Sequence, residues 1–163
     1  MLANEDFIDL IQHLTGSDIS LRAIALEDLW QYPSGDKRVW PYVEELLHDT
    51  TPCLLGIPFI FGEIRWLAAK ALAAEREALG IRKPVRLRNV VRPIDMKEYT
   101  TARKAAQVEL KPGVEGVLEN MAILRNMGCL PLVDLNLYPK VKEPPQEVTY
   151  LPPVPVLMPA LPA

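Results

Sequence analysis

Gly62-Glu63-Ile64-Arg65-Trp66-Leu67-Ala68-Ala69-Lys70-Ala71-Leu72-Ala73-Ala74 is the longest uninterrupted run of good helix formers in the chain, and its reading decides the fold. Ile64, Leu67, Ala68, Ala71 and Leu72 recur at the three- and four-residue steps that put them on one helical face. Small alanines on such a face let a second helix approach closely. The stretch Leu21-Arg22-Ala23-Ile24-Ala25-Leu26-Glu27-Asp28-Leu29 repeats the arrangement 43 residues earlier. Leu21 answers Ile64, Arg22 answers Arg65, Ala25 answers Ala68 and Leu29 answers Leu72. Helical-repeat arrays have periods of this size.

Working outward from these two stretches, Asn4 to Leu14 reads as a first helix with Asn4 as its cap and Phe7, Leu10, Ile11 and Leu14 as its apolar stripe. Ser17 or Asp18 caps a second helix that runs to about Tyr32, where Pro33-Ser34-Gly35-Asp36 supplies turn chemistry. A third helix spans Val39 to His48, with Pro41 tolerated in its first turn, and the fourth extends from Gly62 to Leu79, with Gly80 as its C-terminal cap. Between the last two lies an apolar insertion, residues 50–61, where a repeat needs only a few residues.

The run Gly62 to Ala73 resembles the second helix of a HEAT repeat. It is most similar to the bacterial subclass named after the phycobilisome lyases, in the Ile64-Arg65 pair and the Ala68-Ala69-Lys70-Ala71-Leu72 face. Leu21-Arg22, Ala25 and Leu29 match more loosely, so the resemblance covers residues 5–80. It implies an all-α fold, a short HEAT-like superhelix of two helical hairpins. Motif residues of this kind pack and do not react. Two repeats are fewer than a free-standing array needs, which makes the C-terminal half the expected cap.

That half begins with period-two alternation in Val85-Arg86-Leu87-Arg88-Asn89-Val90-Val91, an extended segment bounded by Pro84 and Pro93. Asp95 to Glu98 spells a capping box, with Ile94 and Tyr99 as a hydrophobic staple, and a fifth helix follows from Met96 to Val108. A sixth opens at Pro112, is lined by Val114, Val117, Leu118, Met121 and Leu124, and stops at Gly128. These two helices are expected to close the repeat stack. Leu130 to Leu137 alternates again and can pair with residues 85–91. Eight of the sixteen prolines lie between Pro139 and Pro162, so the chain divides into helical repeats (1–80), a capping segment (81–138) and a proline-rich extended tail (139–163).

Charge and composition narrow the function. The net charge is −3, but residues 1–80 carry −7 and residues 81–163 carry +4, an asymmetry that directs the halves toward different partners or toward each other. Cys53 and Cys129 lack the spacing of a zinc site and of a disulfide framework, and read as free thiols. His13, His48 and the carboxylates Glu44, Glu45 and Asp49 have no motif partners. No catalytic residues, cofactor or metal ion are therefore expected. The acidic N-terminus is unlike a signal peptide and the longest apolar run is too short to span a bilayer, so a soluble, cytoplasmic protein is expected.

Three stretches are candidates for binding a protein partner, or a second copy of the chain in a homo-oligomer. The first is the apolar insertion, with Leu55, Ile57, Phe59 and Phe61, which either meets a partner or folds under the helices into the core. In the basic segment 82–92, Arg86 and Arg88 face an acidic surface, internal or on a partner, with nucleic acid the lesser reading. The tail carries Tyr150, Leu151, Val154, Val156, Leu157 and Met158, more apolar surface than a linker uses, and reads either as a docking arm or as a disordered end. The expected function is a non-enzymatic interaction scaffold or accessory subunit of a larger assembly. The resemblance implies one alternative, a lyase-like or chaperone-like protein holding a tetrapyrrole or a client, although such proteins use longer arrays.

Overall fold

The computed structural model describes residues 1–56, 59–107, 109, 111 and 113–138. Ile57, Val108, Pro112 and the whole tail 139–163, with its six candidate docking residues, lie outside the described residues.

Helix α1 (Asn4–Thr15) starts one residue earlier than a cap at Asn4 requires: the capping position falls on Ala3, with no side-chain bond. Its stripe of Phe7, Leu10, Ile11 and Leu14 faces the core, with Leu14 fully buried. In α2 (Ile19–Gln31), the Asp18 carboxylate accepts the Leu21 N–H at 3.1 Å. Helix α3 (Trp40–Glu45) is shorter than its apolar spacing suggests, because single 3-10 turns at Lys37–Val39 and Leu46–His48 flank it. Helix α4 (Ile64–Ala78) ends as expected at Gly80, whose φ of +70° only glycine adopts freely. There the Ile81 N–H bonds to the Arg76 carbonyl at 2.9 Å and satisfies a carbonyl the helix leaves open. α2 lies directly against α4, and Ala25, Leu26, Leu29, Ala68, Ala71 and Leu72 are buried in one cluster.

The fold as a whole is not all-α. Among the described residues, five strands form two antiparallel sheets: β1 (Pro52–Gly56), β2 (Ile60–Glu63) and β4 (Ile94–Asp95) in the order β1-β2-β4, and a separate ribbon of β3 (Val85–Val91) and β5 (Leu132–Leu137). The apolar insertion is thus a hairpin, with Cys53 opposite Gly62 and a bulge between Leu54 and Gly56. Gly62 and Glu63 belong to its second strand and not to the helix. The ribbon pairs Val85 with Leu137 and Val91 with Leu132, the pairing that the alternation of both segments allows.

The expected cap is also different. Val85, Leu87 and Val90 of the ribbon pack into the same core as α4, so a β-ribbon covers this side of the helices. The C-terminal helices α5 (Met96–Ala106) and α6 (Gly113–Asn126) build a second core instead, in which Phe61, Val91, Ile94 and Tyr99 meet Val117, Met121, Leu124 and Leu130. The predicted capping box of Asp95 and Glu98 is formed. Gly128 ends α6 at φ +74°, with the Cys129 N–H on the Leu124 carbonyl at 2.9 Å. An α-only stack fails for a physical reason: α4 presents apolar surface that needs a neighbour, and the nearest chain after Gly80 is extended by Pro84 and Pro93 before a helix can begin.

Glu63 joins the two cores. It is 1% exposed, and its Oε2 accepts from Arg125 Nε on α6 at 2.7 Å and from the Val91 N–H on β3 at 3.3 Å. Arg65 Nε stands 3.4 Å from Oε1, while Arg65 Nη2 donates to the Arg88 carbonyl at 2.6 Å. At the other end of α4, buried Glu75 accepts from the Ser34 N–H at 2.6 Å, from Ser34 Oγ at 2.9 Å and from Trp40 Nε1 at 3.2 Å. Removing one partner of a buried charged pair leaves the other uncompensated. Glu63→Ala is therefore expected to lower stability by about 3 kcal/mol, read as a fall in the urea midpoint, with Glu63→Gln intermediate.

Near the N-terminus, Asp36 accepts from Arg38 Nη2 at 2.8 Å, from the Arg38 N–H at 3.0 Å and from the Leu2 N–H at 3.1 Å. The Arg38 side chain, followed by these backbone donors, holds the Asp36 carboxyl well below the usual carboxylate range. Its stabilising effect is complete above the unfolded value of about 4 and is lost as pH falls below that value toward the depressed native one. Asp36→Asn is expected to flatten the acid limb of a thermal-stability profile between about pH 4 and pH 2, relative to the native chain.

Candidate partner-binding surface

The candidate residues fall on two structural features, the β1–β2 hairpin and the outer face of the ribbon. In the hairpin, Phe59 stands 46% exposed and stacks on Phe61 with ring centres 6.3 Å apart. Phe61 is fully buried and lies 6.3 Å from the Tyr99 ring, whose hydroxyl receives the Asn120 side-chain N–H at 3.0 Å. The three rings form a row from surface to core. Phe61 therefore belongs to the core and has no surface to offer a partner, which corrects its assignment as a partner-facing residue. Leu55, at the bulge, is half-buried against the first core and leans over Gly62, where an added Cβ would come within 2.5 Å of its Cδ1. Of the hairpin residues, Phe59 has the largest free apolar surface among those described.

On the ribbon, alternation sends Val85 and Leu87 inward and Arg86 and Arg88 outward. Register places Arg86 opposite Asn136. At Asn89 the backbone turns to φ +53°, a conformation asparagine tolerates better than most residues, and its N–H bonds to Asp134 Oδ1 at 3.1 Å. Hydrogen bonding to Asn136, and then to Arg86 with its charge, draws the Tyr138 hydroxyl below its ordinary pKa. Among the described residues neither Arg86 nor Arg88 makes an ion pair.

Arg86 and Arg88 line a cleft of about 320 Å³ together with His48 and Arg65. Four basic side chains thus converge from a 3-10 turn, α4 and β3. Sequence reasoning missed His48 and Arg65 here. Arg22, which Arg65 matches in the sequence, bonds elsewhere: the Arg22 Nη1 meets Asp49 Oδ2 at 2.8 Å, and its Nη2 also donates to the Gly16 carbonyl. No signal in the sequence reveals that Arg65 instead reaches the Arg88 carbonyl, 23 residues away. Asp49, a carboxylate with no motif partner in the sequence, is part of the half-buried Arg22 pair.

A second feature absent from the sequence reading is a groove of about 680 Å³ along α1 and α2, lined by Leu10, Leu21, Ile24, Leu29 and Tyr32. Leu21, Ile24 and Tyr32 are 42%, 53% and 77% exposed. The available signal is that α2 carries apolar residues around most of its circumference, whereas a helix with one buried face needs a single stripe.

Neither thiol is bonded. Burial first, and then the charges of Asp49 and Glu63, push the Cys53 thiol up to about 12, so it holds almost no thiolate near neutrality. No group of three metal-ligating side chains exists among the described residues, and no helix among them is long and apolar enough to cross a membrane. Compared with known proteins, the chain matches no family model, no curated protein and no solved structure. An aromatic disulfide reagent at pH 8 is expected to modify Cys129 readily and Cys53 only after denaturation, giving one reactive thiol in the folded chain and two in urea.

Proposed function

We propose that this chain is a non-enzymatic interaction subunit that binds an acidic protein surface through its β-ribbon, with the proline-rich tail as a docking arm. The observation that carries the reading is that neither Arg86 nor Arg88 makes an ion pair among the described residues. Residues 1–80 are strongly acidic, so carboxylates are plentiful, yet among the described residues none pairs with these two guanidiniums. Guanidiniums held on a strand and backed by a basic cleft suit carboxylates presented by another molecule, because Arg meets them in a bidentate fork.

The resemblance of residues 5–80 to HEAT repeats is retained as a proposal for the two helical hairpins alone. Its support is the side-by-side packing of α2 on α4, through the matched Ala25, Ala68, Leu29 and Leu72. Placement in the cytoplasm is part of the same proposal.

The deciding experiment is affinity isolation of the native complex with the full chain, followed by binding measurements with the purified partner. Arg86→Glu with Arg88→Glu is expected to weaken that binding by about tenfold or more, equivalent to ~1.4 kcal/mol, with a steep salt dependence in the native chain that the variant loses. Unchanged affinity overturns the reading. A salt-dependent mobility shift of an oligonucleotide that the variant abolishes reassigns the ribbon to nucleic acid, and a spectral change on titration with a bilin supports the tetrapyrrole alternative.

A further inference from the structure

The two ends of the helical stack are covered differently. Leu21 holds the position that Ile64 holds 43 residues later, but Ile64 is fully buried while Leu21 is 42% exposed. On the α4 side the ribbon supplies the covering layer. On the α1–α2 side nothing among the described residues does, and the apolar groove is left there. Leu21, Ile24, Asp28 and Tyr32 mark its course along α2 over about 17 Å, eleven residues at the helical rise.

The position, length and chemistry of the remaining chain fit this groove. Tyr138, the last described residue, shares a depression with Trp30 and Lys70, and Trp30 lies in the final turn of α2. The tail therefore leaves the body beside the same helix turn at which the groove ends, at Asp28, Leu29 and Tyr32. Tyr150 lies twelve residue steps beyond Tyr138, a reach of about 37 Å in polyproline geometry, against a helix diameter of about 10 Å. Some six extended residues then cover the groove. The last charged residue of the chain is Glu147, and residues 148–163 contain none. Asp28 is the one acid in the groove's lining and His13 its one histidine, with no Lys or Arg beside them.

We propose that the uncharged segment Tyr150–Met158 docks within the same molecule into the α1–α2 groove, supplying the layer that the ribbon supplies at the other end. Tethering makes the event intramolecular, so the short linker provides millimolar effective concentration, and proline fixes part of the bound backbone in advance. Tyr32 offers the aromatic wall that proline-rich segments favour. The proposal rests on the docking role given to the tail above and names its seat. It does not involve the ribbon arginines.

A nitroxide attached through Met158→Cys in a Cys129→Ser chain tests it, with no partner present. Amide signals of Leu21, Ile24 and Tyr32 are expected to broaden in the isotopically labelled chain that carries the nitroxide. They should stay sharp when isotope and nitroxide reside on different molecules. Adding Ile24→Glu, at a half-exposed site where the charge leaves the core intact, is expected to reduce the groove broadening by about fivefold or more. Broadening that also appears in the mixed sample means docking between copies and overturns the proposal, as does its absence from α1 and α2, or its persistence in the Ile24→Glu chain. The Arg86→Glu, Arg88→Glu chain should keep the broadening, which separates failure of this inference from failure of the ribbon reading.

Discussion

A single buried carboxylate, Glu63, fixes how the two halves of this molecule meet. A charge that is 1% exposed is costly unless it is paired and hydrogen-bonded. The partners of its Oε2 come from Arg125 on α6 and from the Val91 backbone on β3, so that oxygen is satisfied only when the second core stands in one position relative to α4. Glu75 applies the same constraint at the far end of the helix, where it takes three donors from Ser34 and Trp40. Helix α4 is thus pinned at both termini by acids, and the apolar face between them selects what packs against it. Its first two free amides are also satisfied from outside the helix, Ile64 by the Thr51 carbonyl at 3.0 Å and Arg65 by the Asp49 carbonyl at 2.9 Å.

What was legible in the sequence follows from how local each signal is. The capping box at Asp95 and Glu98, the Asp18 cap and the glycines at positions 80 and 128 act within a few residues, and each appears where it was expected. The two alternating segments read correctly as extended. Their all-α setting did not survive, because pairing β3 with β5 and joining β4 to β2 are contacts across more than thirty residues. The β1–β2 hairpin was hidden for a different reason. Phe61 faces the second core and Cys53 the first, so the hairpin is apolar on both sides and shows no alternation. Gly62 and Glu63, attached to a good helix former, then read as the first turn of α4.

The candidate surface divides along the same line. Outward placement of Arg86 and Arg88 follows from period-two alternation and was predictable. Their company was not, since His48 and Arg65 reach the cleft only after α3, α4 and β3 have been assembled. Phe59 and Phe61, two residues apart, were read alike, yet one lies half in solvent and the other has none. Sequence pattern identified the apolar insertion, and only packing against Tyr99 decided which ring was free.

Two surfaces of opposite character follow from this arrangement, and their physics differs. The ribbon face is basic and exposed, so its attraction acts over roughly the Debye length of 8–10 Å and fades with added salt. It accelerates encounter more than it prolongs contact. The α1–α2 groove is apolar and lies at the other end of the helical stack. Attraction there depends on area removed from water, about 25 cal/mol per Å², and strengthens in salts that are excluded from apolar surface. Binding at the one surface and burial at the other would therefore respond to ionic strength in opposite directions. That division arises from one structural fact: the layer closing the stack beyond α4 is a strand pair that buries Val85, Leu87 and Val90 and, by the geometry of the pleat, must turn the arginines between them outward.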